Sequence, residues 1–123
     1  MRNGPETPCS NRFLFTSSSS SLFENGKIEL KSSSFAQLDV IIAAIKQSNK
    51  SCVIIGHTDN EGSKEFNQQL SLQRAFSVQK YFIKNGIPEK NIECIGKGES
   101  EPIDSNNTEE GKQKNRRFEL ILK

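Results

Sequence analysis

The stretch "SCVIIGHTD", residues 51 to 59, constrains the fold more than any other part of this 123-residue chain. Its core, Cys52-Val53-Ile54-Ile55, is short, apolar and β-branched, the composition of a strand covered on both faces. Helical patterns stand on either side of it. Before it, Phe35, Leu38, Ile42 and Ile45 recur at i, i+3, i+7 and i+10, one face of a helix closed by Ser48-Asn49. After it, residues 66 to 84 carry a second apolar stripe, stopped by Asn85-Gly86 with Pro88 just beyond. A buried strand between two helices predicts crossover connections and parallel pairing for part of a sheet.

Further strands frame this unit. In "RFLFTSSSSSLF" a serine run is flanked by Phe13, Phe15, Leu22 and Phe23. Alone the run reads as a flexible linker. The flanks favour a strand ending near Phe23, turned by "ENGK". "NIECIGKG" predicts a third strand, "ESEPIDSNNTEEGKQ" a polar loop and "NRRFELILK" a last strand. That last strand puts Phe118, Leu120 and Leu122 on one face, and Arg117, Glu119 and Ile121 on the other. The expected fold class is α/β: a small β-α-β-α-β-β sandwich with a mixed four-stranded sheet and helices packed on it. The last strand is expected to run antiparallel to at least one neighbour. Residues 1 to 11 read as a tail or linker and 12 to 123 as one domain.

Charge narrows the function. Seventeen basic against fifteen acidic residues leave a net charge of +2, too even for the basic footprint of a nucleic-acid binder. No apolar run is long enough to cross a bilayer, so direct membrane insertion by this segment is not expected. "MRNGPETPCSNR" lacks the apolar region of a signal peptide; the chain reads either as cytoplasmic or as a piece without its export segment. Cys9, Cys52 and Cys94 are an odd set without zinc spacing, and the latter two read as small core residues.

One residue breaks the second helix's stripe. At about 100° per residue, Leu70, Arg74, Val78 and Phe82 share an arc of roughly 120°, so Arg74 points toward the sheet. Asp59 lies fifteen residues earlier, on the loop leaving the strand end where ligands bind in open α/β sheets. Two readings stand. Asp59 and Arg74 pair with each other and pin the loop, since a buried charge needs a partner. Alternatively each meets a ligand group: Arg a carboxylate through planar bidentate donors, Asp an ammonium, together matching a zwitterion.

The residues around this pair resemble a known family. "GHTDNEGSKEFNQQLSLQRAFSVQKYF" fits T-D-x-x-G followed by N-x-x-L-S-x-x-R-A, and "GKGESEPIDSNNTEEGKQKNRRFEL" fits G-x-G-x-x-x-P, N-x-T-x-E-G and N-R-R. Several spaced motifs in one order, with "LFENGKIELKSSSFAQLDVI" matching more loosely, resemble the OmpA-like C-terminal domain shared by Pal lipoproteins and flagellar-stator MotB proteins. The likeness covers about 100 residues, from near Leu22 to the end. It implies non-covalent binding of peptidoglycan through stem-peptide diaminopimelate. It also implies a periplasmic domain attached to the outer or inner membrane by a segment absent from this chain. It names Asp59 and Arg74 as the principal gripping residues, Asn67 and Leu70 as lining the groove, and Arg116 as a further site residue. Thr58 and Gly62 stand at loop-shaping positions. Glu24 stands where many members have Asp, and Lys112 where many have Arg.

Other chemistry finds less support. His57 is the only histidine and has no second ligand at metal spacing. No G-x-S-x-G elbow exists, and "GKGESEP" lacks phosphate-loop spacing. Neither an enzyme, a cofactor nor a metal is expected. The alternative to wall anchoring is an assembly domain of an envelope motor or secretion complex, a homodimer with wall binding secondary.

Overall fold

The computed structural model describes residues 13–23 and 27–123. The predicted tail, Cys9 and Glu24 lie outside them. In chain order the elements are β1 (Phe13–Ser18), α1 (Ser19–Leu22), α2 (Phe35–Ser48), β2 (Cys52–His57), α3 (Lys64–Lys84), β3 (Ile92–Gly98), α4 (Glu109–Asn115) and β4 (Arg117–Leu122).

The four strands form one mixed sheet in the order β1-β4-β2-β3. β2 and β3 run parallel, Ile54 opposite Cys94, as the crossover through α3 requires. β4 is antiparallel to both its neighbours, Leu120 facing Phe15 of β1 and Ile54 of β2. The mixed α/β sandwich expected from the sequence is the one observed.

The core lies between the sheet and the helices. Leu38, Ile42 and Ile45 of α2 and Ala75, Val78 and Phe82 of α3 meet Ile54, Phe118 and Leu120, all buried. Each of these side chains apart from Ala75 stabilises the fold by about 2 kcal/mol. Cys52 and Cys94 join this cluster as small apolar groups, and burial pushes their thiols up to about 11 and about 12. β2 is buried along its whole length, as its unbroken apolar run predicts.

α3 sits close to the sheet because two glycines face each other across β2 and β3. A Cβ on Gly56 would stand 2.5 Å from the Ser71 carbonyl oxygen, and one on Gly96 2.7 Å from the Leu72 nitrogen. Ser63 opens the helix by accepting from the Phe66 N–H at 3.0 Å.

Two expectations fail. The serine run is not a strand reaching Phe23: β1 ends at Ser18, and Ser19–Leu22 make one helical turn. Ser18 caps that turn through the Ser20 N–H, and the Ser21 hydroxyl donates to the Ser18 carbonyl at 2.8 Å. Local hydroxyl–backbone bonds have displaced the strand ladder. The polar loop before β4 ends in a helix, Glu109–Asn115, capped by Thr108. Buried Asn115 holds the loop to it, accepting from the Ile103 and Asp104 N–H groups at 2.7 and 3.0 Å.

Candidate functional site

Because β4 runs antiparallel to β2, the carboxyl end of β2 lies beside the start of β4. The chain leaving β2 is fixed at once: the Thr58 N–H donates to Gly98 at 2.8 Å, and its hydroxyl to the Asp59 carbonyl at 2.7 Å. Asp59 is 5% exposed. Its Oδ1 accepts from the Glu61 N–H at 3.0 Å, a local turn that carries the chain toward α3.

The Asp59–Arg74 pair does not form among the described residues. Asp59 Oδ2 pairs with Arg116, and Arg116 also reaches Glu109 at 2.9 Å. Burial works against the Arg116 charge, but the Glu109 and Asp59 carboxylates outweigh it and hold its pKa above the ordinary value.

Arg74 lies in the middle of α3 rather than near its start, so it meets the chain after α1 instead of the Asp59 loop. It is 7% exposed, donates through Nε to the Lys27 carbonyl at 2.8 Å, and stands 5.0 Å over the Phe23 ring. The ring face and the carbonyl stabilise a charge that desolvation penalises; burial pulls the Arg74 pKa below its usual value without discharging it.

Arg74 and Arg116 open on one groove of about 290 Å³, with Ser19, Ser20, Phe23, Glu61 and Glu109 in its lining. Two guanidiniums and two carboxylates lining a partly enclosed space can bind a group that carries both charges. A wider, shallower depression of about 590 Å³ lies beyond the other side of α3, between Lys64, Gln68, Lys97 and Glu99. It holds neither Asp59 nor either arginine.

The structure therefore brings Arg74 and Arg116 to the groove and sets Asp59 directly behind Arg116. Thr58 is a buried loop support. Asn67 is 3% exposed and braces two loops, donating to Glu61 O at 2.8 Å and to Glu99 at 3.3 Å. Leu70 is half-buried on α3 and outside the groove lining. Glu61, Glu109, Phe23 and Ser19 escaped the sequence reading. Glu109 carried one signal, an acidic first turn after the capping Thr108, which marks a helix start but not its long-range reach.

His57 faces the other side of the sheet, 2% exposed, with Nε2 at 3.2 Å from Glu119. Burial, followed by the nearby Arg117, lowers its pKa. Among the described residues no cluster of metal-ligating side chains exists, and no helix is long and apolar enough to cross a membrane.

Known proteins are similar to this chain in sequence and fold. The profile of the OmpA family matches residues 22–116. The peptidoglycan-associated lipoprotein of Pseudomonas aeruginosa is 34% identical over 98 residues, covering 80% of this chain and 58% of its own. Outer membrane protein A of Escherichia fergusonii is 39% identical over 103 residues, covering 81% of this chain and 42% of its own. The chain thus spans about half the length of these curated relatives. Among solved structures, a putative MotB like protein from Desulfovibrio vulgaris superposes with a TM-score of 0.84 at 25% identity, over 91% of this chain and 73% of that one. On the family match and the relatives together, this chain belongs to the OmpA family.

Proposed function

We infer that this domain binds peptidoglycan without turnover and anchors an envelope protein, in the periplasm, to the cell wall. The ligand is the free zwitterionic end of a diaminopimelate in the stem peptide. The observation that carries this reading is one groove walled by two arginines, one of them, Arg116, paired with a nearly buried aspartate behind it. The ligand carboxylate lies against the Arg74 guanidinium, which burial and the Phe23 ring hold in place. The ligand ammonium goes to Asp59, where it takes over the place of Arg116; Arg116 keeps Glu109 as its carboxylate. Ligand binding is then an exchange of partners rather than the filling of bare charges, so a single fragment binds modestly and polymeric wall supplies avidity.

Co-sedimentation with purified diaminopimelate-type sacculi tests it. Asp59→Ala and Arg74→Ala, each checked for folding by circular dichroism, are expected to stay in the supernatant. If both fold and pellet like the wild type, the grip is wrong.

A second reading is an assembly domain. Phe76 and Ile83, seven residues apart on the outer side of α3, are 45% and 38% exposed, an apolar pair with room for a second copy. Light scattering decides: a stable dimer that ignores sacculi favours assembly, a wall-binding monomer removes it.

A further inference from the structure

The serine run hides a difference between its members. Ser17 and Ser21 face each other at 3.4 Å, Ser18 and Ser20 at 2.9 Å, and Ser21 also donates to the Ser18 carbonyl. Ser19 alone in the run has a hydroxyl with no hydrogen-bond partner among the described residues, although it is 3% exposed. Its backbone is firmly placed, its N–H donating to the Arg116 carbonyl at 2.9 Å and its carbonyl accepting from the Phe23 N–H at 2.8 Å. Ser19 is thus tied to two residues that wall the groove, and it stands in the lining with Arg74.

A buried hydroxyl without a partner is destabilising to the folded state. Such groups are rare in native proteins, and each one calls for a reason. Here a reason is available in the groove. A serine hydroxyl changes direction by one χ1 rotation among staggered wells. Turned toward the groove, it offers an O–H donor beside the Arg74 and Arg116 guanidiniums, where an anionic oxygen is favoured.

We propose that Ser19 is a further ligand-binding residue, whose hydroxyl donates to the carboxylate that Arg74 holds. The inference rests on the wall-binding reading of the groove and adds to it a residue outside the span matched to the family. It gives a role to the one hydroxyl of the run left unsatisfied among the described residues; Ser20 lines the groove too, but its hydroxyl is taken by Ser18. Among the described residues the Ser19 hydroxyl has no partner, and it gains one on binding, so binding relieves a cost of burial.

The test separates affinity from stability. Ser19→Ala removes the unpartnered oxygen, so its melting temperature should equal or exceed that of the wild type. Its apparent affinity for diaminopimelate-type sacculi should fall about tenfold, the effect of one hydrogen bond to a charged group. Ser19→Cys, nearly isosteric with a weaker donor, should fall between the two. Arg74→Ala is the control for the groove. If it loses the wall while Ser19→Ala binds as wild type, the Ser19 assignment falls and the wall reading stands. If both bind as wild type, the groove is not the grip and both fall. A clear drop in the melting temperature of Ser19→Ala also overturns the assignment, because the hydroxyl then has a structural partner in the free fold.

Discussion

Arg116 and Arg117 are adjacent, carry the same guanidinium and both pair with carboxylates, yet they sit in opposite situations. Arg117 is 4% exposed on the sheet face away from the helices. It donates to Glu119 at 3.1 Å and to the Glu101 and Asn115 carbonyls, and Glu119 in turn meets His57. Arg116, one step earlier, points to the groove with a side chain 30% exposed, bound to Asp59 and Glu109. Arg116 caps the end of α4 and Arg117 opens β4, and that change of backbone sends two identical residues to different surroundings. One is enclosed by fixed partners and braces the sheet. The other stays partly exposed at the groove, where its carboxylate partners are open to the exchange proposed above. The contrast is one of access: the same chemistry is locked in one place and exchangeable in the other.

The largest expected effect strikes the enclosed arginine. Arg117→Ala leaves Glu119 and two carbonyls short of a donor and should lower unfolding stability by about 3 kcal/mol in urea titrations. The folded fraction should still pellet with sacculi, since the groove is untouched; loss of specific binding by folded Arg117→Ala would erase the contrast between the two arginines. Arg74→Ala should act the other way round, weakening wall affinity by at least about tenfold. Far-ultraviolet dichroism of that variant should match the wild type.

A smaller effect concerns acid. His57 has a folded pKa below its unfolded value near 6.5. The unfolded chain therefore takes up the proton first, and stability present above pH 6.5 declines as pH falls below it. The slope is at most about 1.4 kcal/mol per pH unit for one proton. His57→Gln should flatten the stability profile in that window, and a wild-type curve already flat there would contradict the assignment. The smallest effect belongs to the Lys112–Glu61 pair on the groove's rim, 2.7 Å long with Glu61 well exposed. Lys112→Ala should leave the urea midpoint within error, as solvated pairs do; a measurable shift would mean the rim is stiffer than its exposure suggests.

Much of this was legible in the sequence, unevenly. β2 and α3 announced themselves because burial periodicity is local: an apolar run, and a stripe at helical spacing ended by Asn-Gly. Arg74 stood out as a charge inside that stripe and does belong to the groove. The partner of Asp59 was not legible. Asp59 meets Arg116 across 57 positions of sequence, and spacing along one loop and helix carries no information about a strand that arrives later. The serine run misled for a different reason. Strand and turn differ there only in where hydroxyls find backbone partners, and composition is blind to that. α4 was missed because its buried positions are Gly111 and Asn115, neither of which registers as apolar.

The antiparallel course of β4 has one more consequence. The groove takes Ser19 and Phe23 from one end of the described chain, Arg74 from its middle and Arg116 from its other end. These parts meet only when β4 has settled between β1 and β2, the most distant pairings in the sheet and the slowest kind to form. A chain still folding, or one clipped in its last strand, presents no groove at all. Attachment would then double as a certificate of maturity: whatever holds the groove holds only finished molecules.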